Sequence, residues 1–342
     1  MVKISRFEIR LAEDYLILHG APHESAGSVL RGRVLLKLDE PCKFKSLTVR
    51  LRGKAKAIWA ESDGYHIIVQ HKKKELVDFT WTLLEPTSAP HVVPPGEHSY
   101  YFDYPFSGTL PETVHTENGD IQYRLEAIAE RPLFKRDLFA ETEAIVKRYS
   151  SPYALEQIEP IIVSGNWSEM LGYEMFIPMS AYGVGDMVPT LLKVWSTENQ
   201  NISVKNIKFA LKEFTTYYDR ENGISKTETK LVKLLSNTDI SSPSVGPTIE
   251  KHILVPIQEN ITVHHDCATD LINVHHILRV NMDILRGDKT EAYTIETPFI
   301  MMPASNQEVF EYLPPYAAYC QPGNSLLPPP PSYFTPPEAE GA

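Results

Sequence analysis

Apolar and polar residues alternate with a period of two through most of the first 300 positions. The clearest run is 47–57. There Leu47, Val49, Leu51, Ala55 and Ala57 share one parity, and Thr48, Arg50, Arg52, Lys54 and Lys56 share the other. Successive side chains of a strand point to opposite faces, so this run predicts a strand with one buried face and one wet, basic face. Further strands are predicted at 4–18, 29–38, 100–106 and 140–147. Around 121–129, Ile121, Tyr123, Leu125, Ala127 and Ala129 alternate with polar residues, and only Ile128 breaks the polar face. The second half continues in the same style at 173–177, 207–211, 253–257, 276–284 and 293–300. The polar span 60–80 reads as a hairpin tip or loop, and 219–250 as turn-rich. No stretch longer than ten residues carries a convincing apolar period of 3.6. Many short strands with turn signals between them predict an all-β chain built from antiparallel β-sandwiches.

Composition divides the chain. Tyr149-Ser150-Ser151-Pro152-Tyr153 is short, polar and Pro-containing, and marks a linker over 149–160 between domains at 1–148 and 161–305. From 306 to 342 the alternation stops. That segment holds nine prolines, four glutamates and no Lys or Arg. It is expected to be a disordered tail, because it cannot bury enough apolar surface to offset its ordering entropy.

The tail carries the sharpest motif. Pro330-Pro331-Ser332-Tyr333 is a PPxY tetrapeptide, and Leu313-Pro314-Pro315-Tyr316 is its LPxY variant. Consecutive prolines hold φ near −65° and remove backbone donors, which favours an open polyproline II helix. Aromatic-lined WW grooves recognise such helices, so Pro330, Pro331, Tyr333, Leu313, Pro314 and Tyr316 are candidate WW contacts. The two tyrosines stand 17 positions apart. A flexible chain of that length spans about 20–25 Å root-mean-square, within reach of tandem WW domains.

Charge and chemistry narrow the rest. The 342 residues are 42% hydrophobic and 23% charged, with a net charge of −11, which argues against general nucleic-acid binding. Three cysteines make no disulfide framework and fit a reducing compartment. No window approaches the ~20 apolar residues of a membrane span, and the opening residues show no apolar signal core. There is no GxSxG elbow, P-loop or GxGxxG, so neither an enzyme nor a cofactor is expected. His264-His265-Asp266-Cys267 and His275-His276 resemble a metal set only loosely, since adjacent strand histidines face opposite sides; no metal is expected. Arg50, Arg52, Lys54 and Lys56, with Lys72, Lys73 and Lys74, form a candidate basic face. Its bland reading is a solvated sheet surface. Its functional reading is a seat for acidic lipid headgroups or acidic cytosolic tails.

An ordered set of segments resembles the α-arrestins, specifically the fungal arrestin-related trafficking adaptors. It comprises Phe7-Glu8-Ile9-Arg10-Leu11, Ser28 to Val34, Ser46 to Gly53, Gly96-Glu97-His98, Leu110-Pro111-Glu112-Thr113 and Ile121 to Ala127. In the second half it comprises Tyr173-Glu174, Gly185-Asp186-Met187-Val188-Pro189 and His276-Ile277-Leu278. The opening is most similar to members tied to carbon-source control, of the CreD type. The resemblance implies two immunoglobulin-like sandwiches. It also implies a cytoplasmic adaptor, recruited to the plasma membrane and endosomes. Such an adaptor links a transporter or receptor to a NEDD4/Rsp5-type HECT ubiquitin ligase with WW domains, so that the cargo is ubiquitinated and internalised. The tail is short for this family, which puts phosphorylation control there in doubt. A coat or sorting subunit of the arrestin fold, as in retromer, is the alternative; such a subunit has no need of a PPxY motif.

Overall fold

The computed structural model describes residues 4–302, apart from 63–64, 133–134, 150–158, 170, 199–200 and 236–244. Among the described residues there are strands and turns and no helix. The first sandwich packs a three-stranded sheet on a larger one. The smaller sheet sets Ile4–Leu11 and Gly96–Phe106 on either side of Ser28–Leu38. The larger runs in the order Leu138–Glu143, Gly119–Glu130, Ser46–Ser62, Ile67–Leu84, all antiparallel, with Val114–His115 beside Gly119–Glu130. The alternation sets its buried face as expected: Leu47, Val49, Leu51, Ala55 and Ala57 are in the core, with Ile121, Tyr123, Leu125, Ala127 and Ala129 beside them.

The second sandwich packs Ile161–Ser168, Leu171–Ile177, Met187–Ser196 and Thr248–Pro256 against a second sheet. That sheet runs Ala181–Gly183, Lys289–Met302, Ile272–Arg286, Ile202–Asp219, Ile224–Leu235.

The span 60–80, expected as a hairpin tip or loop, is the outer end of a hairpin, and the span expected to be turn-rich holds a strand. Most of 60–80 belongs to Ile67–Leu84, and 224–235 lies inside the supposedly turn-rich 219–250. Both are terminal strands of their sheets. An edge strand with both faces largely wet has no reason to alternate, so its polar residues mimic a loop. The expected linker falls mainly on 150–158, and the tail on 306–342; both lie outside the described residues.

One strand pair belongs to both sandwiches. Ile202–Asp219 and Ile272–Arg286 pair antiparallel from Ile202↔Arg286 to Tyr217↔Ile272. Toward one end Ile207, Phe209, Leu211, Leu278, Val280 and Met282 are buried in the second core. Toward the other, Tyr217, Ile272 and Val274 are buried in the first core, with Cys267 and Leu271. Both sandwiches accordingly fall in one compact unit. Their contact is close enough to need a glycine. A Cβ added at Gly119 would sit 2.7 Å from Ile272 Cδ1 and 2.8 Å from Tyr217 Cε1. Carbon atoms pack at about 3.5–4.0 Å, so a side chain there would force the Ile272 and Tyr217 side chains to move.

Gly119→Ala should therefore destabilise the whole body by about 1–3 kcal/mol, the usual cost of overpacking. Urea unfolding checks this; an unchanged midpoint would show that the sandwiches are not in tight contact.

Candidate functional site

The Ser46–Ser62 and Ile67–Leu84 strands form a long hairpin whose register runs from Leu47↔Leu84 to Ser62↔Ile67. The neighbouring Gly119–Glu130 strand ends its pairing at Gly119↔Ala57. Past that point the hairpin continues as an arm. Trp59 buries one side of the arm, lying near-parallel to the Tyr217 ring with centroids 6.4 Å apart. At the tip Ile67 is 75% exposed and Ile68 50%, although consecutive strand residues point to opposite faces; Val69 and Tyr65 are exposed too. This apolar tip was invisible to the alternation, which only reports residues that one face buries.

The arm sorts the seven candidate cations by parity. Cross-strand partners share a face, and Lys73 lies opposite Lys56, so it joins Arg50, Arg52, Lys54 and Lys56 on the outer face. Lys72 lies opposite Ala57 and Lys74 opposite Ala55, at the inner parity. These two reach the second sandwich. Lys72 Nζ is 2.6 Å from Asp219 Oδ2, and Lys74 Nζ is 2.5 Å from Asp270 Oδ2. The Asp219 side chain is only 1% exposed, and its hydrogen bond from Lys72 holds its carboxyl below the usual carboxylate range.

On the outer face, Arg50 donates two hydrogen bonds to Asp78, Arg52 pairs with Glu126 at 3.3 Å, and Lys56 with Asp120 at 3.2 Å. Such exposed pairs add about 0–1 kcal/mol each, but they cancel charge. Among the described residues, Lys54 and Lys73 have no carboxylate in ion-pair contact. Together with Lys56 and Lys74 they line a hollow of about 430 Å³, with Glu75 and Gln122 on its wall. The hollow can hold an anion by charge.

A second cluster lies at the junction of the cores. Glu213 pairs across the shared strands with His276. Both are buried, and His276 Nε2 stands 3.3 Å from Glu213 Oε2. His276 Nδ1 is 2.6 Å from Asp266 Oδ1. Glu213 also accepts the His264 backbone N–H at 2.8 Å, and its other oxygen lies 2.9 Å from His264 Nδ1. Asp266 in turn accepts the Met301 N–H at 2.9 Å. Burial pushes the His276 proton off, but the hydrogen bonds and charges of Asp266 and Glu213 outweigh it and raise its pKa. Burial likewise opposes charge on Glu213, yet the hydrogen bonds from His264 and His276 hold its carboxyl well below the usual range. His265 is pushed down to about 4, first by burial. His275 is exposed on the opposite side of the strand and stacks on Phe214, with centroids 4.8 Å apart. Among the described residues, no three or more histidine, cysteine or carboxylate side chains are arranged to hold a metal ion, this cluster included. The candidate WW contacts Leu313, Pro314, Tyr316, Pro330, Pro331 and Tyr333 lie outside the described residues.

Comparison with known proteins agrees with this architecture. Residues 17–149 match the family model described as arrestin (or S-antigen), N-terminal domain, and 167–306 match arrestin (or S-antigen), C-terminal domain. An arrestin domain-containing protein of Schizosaccharomyces pombe is 27% identical over 298 residues, 83% of this chain and 50% of that protein. A putative arrestin-related trafficking adapter of the same yeast is 24% identical over 357 residues, 88% of this chain and 54% of its own. A probable HECT-type ubiquitin ligase-interacting protein creD of Aspergillus oryzae is 26% identical over 186 residues, 53% of this chain and 31% of its own. The chain thus spans about half the length of the first two relatives and less of the third.

The split among the lysines is testable. Lys72→Ala leaves the buried Asp219 carboxylate with only its hydrogen bonds from Asn222 and should lower the thermal unfolding midpoint. Lys73→Ala removes a solvated charge and should leave it unchanged. Equal midpoints for the two variants would contradict the inter-sandwich role of Lys72.

Proposed function

The chain belongs to the arrestin family, and from that premise we propose that it is an adaptor. Its body engages a membrane transporter or receptor, and its tail recruits a HECT-type ubiquitin ligase with WW domains. The cargo is then ubiquitinated and internalised from the cytosolic face of the plasma membrane or endosomes. The observation that carries this reading is the joining, in one chain, of both arrestin sandwiches with two Pro–Tyr motifs beyond them. Relatives named as trafficking adapters and as HECT-type ubiquitin ligase-interacting proteins support it.

On this reading the hairpin arm is the face that meets the membrane or cargo. Lys54 and Lys73, neither in ion-pair contact with a carboxylate although Glu75 stands opposite Lys54, supply positive charge at its root, and Ile67, Ile68 and Val69 supply apolar surface at its tip. The outer arginines contribute less, because Asp78 and Glu126 already hold them.

Tyr333→Ala should abolish most capture of a WW-containing ligase by the full chain. Tyr316→Ala should reduce it less, mainly by removing the second contact. Circular dichroism should show both variants folded. If the double variant captures the ligase as well as the native chain does, the motifs are bystanders and a coat-type sorting role becomes the better reading.

For the arm, a lysine near an anionic surface contributes about 1 kcal/mol, so Lys54→Gln with Lys73→Gln should weaken binding to phosphatidylserine vesicles roughly thirtyfold at low salt. Equal vesicle recovery of the double variant and the native protein would remove the membrane contact.

A further inference from the structure

The wet face of an antiparallel sheet is ordinarily polar, and strands that are apolar on both faces are those covered on both. One sheet of the second sandwich departs from this. Met187–Ser196 sends Val188, Leu192 and Val194 into the second core, yet Met187, Pro189 and Leu191, at the opposite parity, are apolar too. The neighbouring strands continue the pattern. Ile162 lies opposite Phe176, Phe176 opposite Leu191, and Pro189 opposite Leu254, so all four strands contribute to one outward stripe. Ile162 is 65% exposed, Leu254 61% and Met187 50%; Pro189 is exposed beside them, and Phe176 and Leu191 are half-buried. Single apolar residues scattered on a surface need no explanation, but a contiguous patch marks a contact site.

The charges around the stripe narrow what covers it. In the next cross-strand row, Glu174 and Glu250 stand on either side of Lys193. Asp186 precedes Met187, and Glu259 lies over Gly185. Lys251 is opposite the core residue Leu192, at the inward parity. Carboxylates therefore outnumber the one outward lysine of that row. Such a rim repels an anionic membrane, and two copies of this face would set acid against acid. Its complement is an apolar protein surface ringed by cations. Ubiquitin has that surface, an apolar sheet face ringed by arginine, lysine and histidine.

We propose that the outer face of this four-stranded sheet docks ubiquitin. The identity of the occupant rests on the adaptor reading above, in which the recruited ligase attaches ubiquitin to the cargo. The body then gains a second grip on a cargo that already carries the modifier, and the adaptor stays where its ligase has acted. A patch of this size is small for a stable complex. Docking is therefore weak on its own, with a dissociation constant on the order of 0.1–1 mM. Attachment of ubiquitin to a cargo held elsewhere on the body makes the contact intramolecular, and effective concentration strengthens it.

The test titrates the full chain into isotope-labelled ubiquitin and follows the amide resonances of ubiquitin. Those of its apolar sheet face should shift or broaden at up to about 1 mM chain, and less at high salt than at low. Ile162→Gln with Leu254→Gln should weaken binding about tenfold or more, by removing apolar contact area. Phe139→Gln, at an exposed apolar position of the first sandwich, should leave it unchanged. Glu174→Lys with Glu250→Lys keeps the stripe, and should weaken binding about three- to tenfold at low salt. This second pair decides if circular dichroism shows the first unfolded. Unmoved ubiquitin resonances, or equal effects of the stripe pair and Phe139→Gln, would overturn the proposal. So would self-association in sedimentation, or capture by phosphatidylserine vesicles, that is lost in the stripe pair, because the stripe would then have another occupant. Ubiquitin binding is read without ligase, and ligase capture by the Pro–Tyr motifs without added ubiquitin, so failure here is distinct from failure of the adaptor reading.

Discussion

Two hydrophobic cores in this molecule are built on a single pair of strands. Ile202–Asp219 and Ile272–Arg286 supply Phe209, Leu211, Leu278 and Val280 to one core, and Tyr217, Ile272 and Val274 to the other. A strand pair cannot leave one core without stretching the other, so the relative placement of the sandwiches is fixed by backbone hydrogen bonds rather than by a detachable interface. At the step where the pair passes from one core to the other, an apolar residue would have no core to enter. Glu213 and His276 occupy it. A buried ion pair of this kind adds little net stability, but removing one partner typically costs about 3–5 kcal/mol, because the other is left buried and unpaired. It also specifies register: a slip of either strand by one residue would send its charge to the wrong face and leave the other unpaired.

The same seam shapes the surface offered to partners. Trp59 on Tyr217, with Lys72 and Lys74 on Asp219 and Asp270, fastens the root of the hairpin arm to the second sandwich. The inner lysines are thereby spent on architecture. Lys54 and Lys73 stand on the outer face with no ion-pair contact, Glu75 lying opposite Lys54, and the apolar tip extends beyond the end of the neighbouring strand. On the proposed reading, recognition by the body is a matter of charge and exposed apolar surface on a held scaffold, and ligase recruitment would need only short proline–tyrosine segments. In this account the two jobs share a chain and no side chains.

Much of the fold was legible because alternation reports directly on a half-buried sheet. Leu47 to Ala57 and Ile121 to Ala129 declare their inner faces residue by residue. Ile67–Leu84 and Ile224–Leu235 read only as a hairpin tip or loop and as a turn-rich span, because edge strands wet on both faces have no period. The basic face was legible as a run of like charges, but its cancellation was not. Asp78, Glu126, Asp120, Asp219 and Asp270 come from other strands and from the other sandwich, and pairing at that range leaves no local trace. One signal could have been found. Continuing the parity of Ile207, Phe209 and Leu211 by one step places Glu213 inside a core, and an acid at an inward position asks for a partner. In sequence the histidines at 264 and 276 resemble a loose metal set; with Glu213 and Asp266 they form an ionic network.

Whether the seam welds the sandwiches into one folding unit can be measured directly. Trp59 reports on the seam, and Trp167, stacked between Tyr173 and Tyr293, reports on the far side of the second sandwich. Two single-tryptophan versions of the full chain, one keeping Trp59 and one keeping Trp167, would be unfolded in urea and followed by fluorescence. A shared strand pair gives coincident transitions, with the same midpoint and slope from both reporters. Two separated transitions, with Trp167 melting apart from Trp59, would show two independent sandwiches and contradict the account.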